Sequence, residues 1–148
     1  MIFLGDILNN KILFAFSLVF LMAISNASAS DEIINVNINN HDFDVKLENN
    51  SATRELVNRL HDGNITIKAK EYGGFEKVGD LGFSLPTSDE NVNTSPGDIV
   101  LYQSNQISLF YDSHSWSYTK IGKIQNVTSD ELVNILGSGD VEIVLSLT

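Results

Sequence analysis

The chain has 148 residues, a formal net charge of −10 at pH 7 and no cysteine. A surface this acidic repels phosphate backbones and anionic lipid, which argues against nucleic acid and against a peripheral membrane surface as partners. With no thiols there are no disulfides and no cysteine-held metals, so the fold must rest on apolar burial alone.

The chain opens on Met1 to Lys11, with one Lys and one Asp, followed by an apolar run from Ile12 to Ile24 and the small residues Ala27-Ser28-Ala29. This is the order of a secretory signal peptide, residues 1–29, with cleavage near Ala29. The apolar run, about 13 residues, is short of the roughly 20 that cross a bilayer. The sequence therefore predicts export to the periplasm or the extracellular space and no membrane attachment once the leader is removed. Residues 30–148 have the length of one ordinary domain.

From there the signal is period-two alternation. Ile34, Val36 and Ile38 alternate with asparagines; Phe43, Val45 and Leu47 alternate with Asp42, Asp44 and Lys46. Asn39-Asn40 between them suits a tight hairpin, because Asn tolerates positive φ. Ser51 is placed to cap a helix running to Leu60, with Ala52, Leu56, Val57 and Leu60 on one face. That helix carries Arg54 and Arg59, the two arginines of the chain. Ile65, Ile67 and Ala69 make the next strand. Residues 70–96 look less regular: Tyr72-Gly73-Gly74-Phe75 reads as a ring-bearing loop and 89–96 as a polar, turn-rich connection.

Gly97 to Ile124 carries the strongest pattern. Ile99 to Tyr102 and Ile107 to Tyr111 read as a hairpin turned at Ser104-Asn105, with bulky apolar groups on both faces. Ser113 to Tyr118, where small hydroxyls alternate with His, Trp and Tyr, reads as a loop presenting rings. Lys120 to Ile124 returns to a strand, with Gly122 permitting a bend or a close backbone approach. Thr128 to Glu131 has the capping-box spacing and opens a second short helix that ends at Gly137; Val141 to Leu147 is the last strand. About eight strands, two short helices and no open apolar edge predict a mainly β fold, a closed antiparallel barrel.

Several segments carry a family resemblance: Lys70-Glu71-Tyr72-Gly73-Gly74-Phe75-Glu76-Lys77, Phe83-Ser84-Leu85-Pro86, Ser95-Pro96-Gly97-Asp98-Ile99-Val100-Leu101-Tyr102, Phe110-Tyr111, Ser115 to Ile124, and Leu136 to Val141. In this order they resemble the cyclophilin-like family of small bacterial and archaeal proteins, over essentially all of residues 30–148. The resemblance implies a closed, eight-stranded cyclophilin-like barrel with two short helices. It implies no particular chemistry, since most members have no assigned activity; some are exported. In true cyclophilins, prolyl isomerisation needs an Arg beside an apolar proline pocket, marked by Phe-His-Arg and Gly-Gly-Asp segments. This chain has neither segment, and a Lys does not supply the planar fork. A weak peptidyl-prolyl isomerase is therefore the alternative reading.

The residues themselves offer little catalytic chemistry. Asp112 and His114 could begin a metal site, but His41 and His61 lie in other elements. There is no Gly-x-Ser-x-Gly elbow and no phosphate-binding glycine loop. Glu71 and Glu76 have the look of a carboxylate pair for acid–base work, though carboxylates on a loop of an acidic protein read more simply as solvated. No catalytic residue, metal or cofactor is expected. The rings are more telling. Tyr72, Phe75, Tyr111, Trp116 and Tyr118, with His114, are of the type that lines a cleft for a small molecule or a peptide; Glu71 and Lys120 would set its polarity. Phe75 and Tyr111 could equally be core at the barrel end. The function expected from sequence is a non-catalytic binding module.

Overall fold

The computed structural model of the chain describes residues 32–148. The expected leader, 1–29, and its cut near Ala29 fall outside them. Strand β1 (Ile33–Ile38) turns through Asn39-Asn40 into β2 (His41–Leu47). Both asparagines have positive φ, 49° and 70°, as a two-residue hairpin with right-handed twist requires. Helix α1 (Ser51–His61) follows, then β3 (Ile65–Tyr72), β4 (Glu76–Asp80), β5 (Glu90–Asn93), β6 (Asp98–Tyr102), β7 (Gln106–Phe110), β8 (Ser115–Ile124), helix α2 (Ser129–Leu136) and β9 (Val141–Leu147).

Hydrogen-bonded neighbours run β2-β1-β9-β3-β4-β7-β6-β8, and β8 pairs back onto β2, so eight antiparallel strands close into a barrel. The sequence-based expectation of a closed eight-stranded barrel with two helices holds. Closure depends on Gly122. A Cβ there would lie 2.6 Å from the Lys46 carbonyl oxygen and 2.9 Å from Val45 Cγ1, so the β2–β8 seam needs a residue without a side chain. Inward-facing residues from seven of the eight ring strands, among them Val36, Val45, Ile67, Leu101, Leu109, Ile121 and Ile143, form one buried core, to which β4 adds no apolar side chain. The apolar faces of α1 (Ala52, Leu56, Val57, Leu60) and α2 (Leu132, Leu136) pack onto that core. Among the described residues no helix is long and apolar enough to cross a membrane.

Four local expectations change. Residues 115–118 are not a loop but the first turn-free stretch of β8, because a ninth strand, β5, lies outside the ring and pairs with them, Val92 opposite Trp116 and Glu90 opposite Tyr118. The serines there sit on the solvent side of this two-stranded flap, while Tyr118 packs inward against the barrel wall. The irregular 70–96 stretch contains β4 and β5, and β3 runs on to Tyr72. Gly73 and Gly74, φ 67° and 78°, turn β3 into β4 with Tyr72 paired to Glu76. Helix α1 is capped by Asn50 rather than Ser51: Asn50 Oδ1 accepts from the Thr53 amide at 2.9 Å, and Thr53 Oγ1 accepts from the Asn50 amide at 3.2 Å. The β6–β7 turn lies one residue early, with positive φ at Gln103 and Ser104.

The β6–β7 hairpin is apolar on both faces because it serves two cores. Ile99, Leu101, Ile107 and Leu109 face the barrel interior. On the outer side Val100, Phe110, Tyr118 and Val92 form a second, smaller cluster, joined by Phe75 and Tyr102.

Candidate functional site

That outer cluster is the back wall of a cleft of about 850 Å³ on the outside of the barrel. Alternation in each strand decides who reaches it. Tyr72 in β3 and Glu76 in β4 are cross-strand partners on the outer face; so are Val78 and Ser108, and Tyr102 and Gln106. From β8, Trp116 and Tyr118 point the same way, two residues apart. His114 is held at the rim by Thr94, whose Oγ1 accepts from the His114 amide and donates to its carbonyl, both at 2.9 Å.

The walls are rings in contact. His114 stacks on Phe75 with centroids 4.1 Å apart and planes 8° from parallel. Phe75 continues to Phe110 at 6.3 Å, Phe110 meets Tyr118 edge-on at 5.6 Å, and Tyr118 meets Tyr102 at 6.1 Å. Two rings stand out into solvent at the mouth, Tyr72 at 62% exposure and Trp116 at 58%. Large exposed rings beside a concavity are the usual surface of a binding site.

The cleft carries one buried acid. Glu76 is 7% exposed, and its Oε2 accepts from the Ser108 hydroxyl. Burial pushes its carboxyl above the ordinary value of 4.5; the Ser108 hydrogen bond and the nearby His114 oppose that rise, and Glu71 adds to it. Tyr118 is pushed up to about 12, by burial first and then by Glu76, Tyr102 and Tyr72. It stays a neutral hydroxyl at any physiological pH.

Three of the residues expected at the cleft lie elsewhere. Glu71 and Tyr111 point to the inner side of the same sheet, where the Tyr111 hydroxyl donates to Glu71 Oε1. Glu71 Oε2 lies 2.8 Å from Nζ of Lys77, which is fully buried and also donates to the carbonyls of Gly137 (3.1 Å) and Gly139 (2.6 Å). Burial would raise the Glu71 carboxyl, but Lys77, the Tyr111 hydroxyl and the Gly74 amide together hold it below 4.5. Tyr111 is pushed up to about 12, by burial and then by Glu71 and Asp112. Lys120 is exposed on β8 and pairs with Glu90 at 3.2 Å. Tyr72, Phe75, His114, Trp116 and Tyr118 do meet in the cleft.

Ser108 and Tyr102 line the cleft without having been singled out in the sequence, and Glu76, weighed there only as half of a carboxylate pair and read as solvated, is its buried acid. Ser108 had a signal: it is the one hydroxyl in the apolar run Ile107 to Phe110. Glu76 reads as solvated only if 70–76 is a loop; once β3 and β4 are paired, it falls on the ring-bearing face. Among the described residues no group of three or more His, Asp and Glu side chains is placed to hold a metal ion.

Comparison with known proteins bears on the fold. Residues 36–146 match the model of the Cyclophilin-like family. The solution structure of a hypothetical protein from Archaeoglobus fulgidus superimposes with a TM-score of 0.60 at 15% identity, covering 80% of this chain and 95% of that one. At that identity the likeness speaks to the barrel alone. No curated protein matches the sequence.

Proposed function

This chain belongs to the cyclophilin-like family, and from that premise we propose that it is a binding module whose aromatic cleft holds a small molecule or a peptide segment without turning it over. The carrying observation is the pairing of a cleft of about 850 Å³ with two large rings left exposed at its mouth, Tyr72 and Trp116. The part of a ring that stays in water gains nothing from burial until a ligand covers it. The binding reading is favoured over prolyl isomerisation by the position of the arginines. Arg54 and Arg59 lie on α1, where Arg59 pairs with Glu55 at 3.2 Å and covers the Phe83 ring at 4.4 Å, and among the described residues no Arg or Lys lines the cleft.

A melt of the purified protein against a library of small molecules and short peptides tests this. A compound at about 100 times its dissociation constant should stabilise the fold by roughly 2.7 kcal/mol. Trp116→Ala should abolish that shift. A library that leaves the melt unmoved, or hits that act equally on Trp116→Ala, would overturn the cleft as the binding site. Turnover of a proline peptide that Trp116→Ala removes would replace it with the isomerase reading.

The pattern of residues 1–29 supports a second part of the proposal, that the chain is exported and cut near Ala29. N-terminal sequencing of protein recovered outside the cytoplasm should begin near Ser30; recovery of the chain in the cytoplasm with Met1 in place would refute it.

A further inference from the structure

The charge pattern of the cleft narrows the ligand class. Ring faces are electron-rich, and here Phe75, Tyr102, Trp116 and Tyr118 bring several of them to one cavity. The buried carboxyl of Glu76 faces the same space, with the Ser108 hydroxyl as its partner. The groups around Glu76 are the Tyr72 phenol and Glu71 from β3, Tyr102 from β6, Ser108 from β7, His114 from the β7–β8 connection, and Tyr118 from β8. None of the lining residues is Lys or Arg. Lys77, the next residue along, is turned through the sheet and committed to Glu71, Gly137 and Gly139.

A carboxylate that serves the fold is found with a cation inside the protein, as Glu71 is with Lys77. Among the described residues no Lys or Arg stands against Glu76; His114 and the Ser108 hydroxyl favour its charged form, and burial, which costs the charge its solvation, outweighs both. A neutral sugar or peptide would use the rings and leave that cost standing, and an anionic ligand would add to it. A cation is attracted by both features at once and by the −10 charge of the chain. Resting on the binding reading of the cleft, we infer that its ligand is an organic cation: an ammonium or quaternary ammonium head seated against Glu76 and the ring faces, on an apolar body that lies along Trp116.

Three ring-bearing probes that differ in charge test this: benzyltrimethylammonium, benzyl alcohol and benzoate, titrated into the purified protein by calorimetry. Trp116, the one tryptophan of the chain, gives an independent fluorescence readout from the cleft itself. The cation should bind about tenfold tighter than the alcohol, and benzoate weakest. Glu76→Gln should erase the advantage of the cation while leaving the alcohol unaffected. Should Glu76→Gln fail to fold, Ser108→Ala decides instead: it keeps the carboxyl and must keep the preference for the cation. If the alcohol or benzoate binds as well as the cation, or if Glu76→Gln retains the preference, the cation inference is overturned while the cleft remains a binding site. If none of the three binds, the cation inference is likewise overturned, and hits in the library melt then show separately whether the cleft binds a ligand of another class.

Discussion

The β3–β4 hairpin holds two glutamates five positions apart that meet opposite fates. Glu71 points through the inner face of the sheet, where Lys77 is its direct cross-strand partner. Glu76 lies opposite Tyr72 and points out into the cleft. The same side chain is held below its ordinary pKa in one place by a buried lysine and a hydroxyl, and pushed above it in the other by burial that Ser108 and His114 only partly offset. The inner acid ties the strands to the Gly137–Gly139 connection through Lys77. The outer acid accepts from the Ser108 hydroxyl, on a strand that already pairs with its own. The difference separates a charge neutralised within the fold from one that the proposed ligand would meet.

The largest effect should come from breaking the inner pair. Lys77→Met removes a fully buried cation, leaves Glu71 without its counter-charge and frees two carbonyls. We expect a loss of about 3 kcal/mol in urea unfolding, because stranding one member of a buried ion pair costs more than the pair contributes. The double variant Lys77→Met with Glu71→Gln should recover part of that loss. Near wild-type stability for Lys77→Met would mean that the inner pair is not structural. Glu71→Gln alone should cost about 1–2 kcal/mol at pH 7. The sign of its pH dependence follows from the lowered carboxyl. Wild-type stability from Glu71 is present above 4.5 and is lost as pH falls through the folded value, so wild type and Glu71→Gln should converge in acid.

How much of this could be read in the sequence depends on which face is considered. The inner face is written in alternation: Ile34, Val36 and Ile38, or Val141, Ile143 and Leu145, can only be core strands, and the barrel follows from them. The outer face was legible where rings advertised it, as at His114, Trp116 and Tyr118. It was not legible at Glu76 and Ser108, because a polar residue on a strand means solvent unless one knows what covers the strand. Here the surroundings are rings from other strands, Tyr102 and Tyr118 among them, and Tyr118 stands on the stretch of β8 paired with β5, a four-residue segment, Glu90–Asn93, with a single apolar residue, Val92, too short and too polar to register as a strand. Lys77 was not legible for the converse reason: a lysine on a strand ordinarily lies in solvent, and only the carbonyls of a distant loop show that this one is buried.

Glu76→Gln sharpens the contrast, since it should change stability in the opposite direction to Glu71→Gln. The folded carboxyl of Glu76 is raised, so its contribution is fully present below 4.5 and is lost as pH rises through the folded value. Above the folded value the ionised, buried group is a net cost, and there its neutral isostere should stabilise the apo protein by up to about 1 kcal/mol. The gain should shrink to nothing below pH 4.5, where the wild-type carboxyl is protonated as well. Thermal melts of both proteins across that range read it directly. A destabilised Glu76→Gln at neutral pH would place Glu76 with Glu71, as a structural acid.

The smallest expected change in stability is the most informative about the cleft. Trp116 lies opposite Val92 on the β5–β8 flap, yet 58% of it is exposed. If it is there for the fold, truncation to Ala uncovers Val92 and Tyr118, loosens β5, and costs what burying a large ring is worth, about 2–3 kcal/mol. If it is there for a ligand, the flap is already held by its backbone ladder and by the Thr94–His114 bonds, and truncation should fall within about 0.5 kcal/mol of wild type. Urea unfolding of Trp116→Ala in the absence of ligand separates the two. A small value assigns the ring to the ligand, because nothing else in the molecule then explains why a tryptophan is kept half in water at the mouth of an acid-floored cavity.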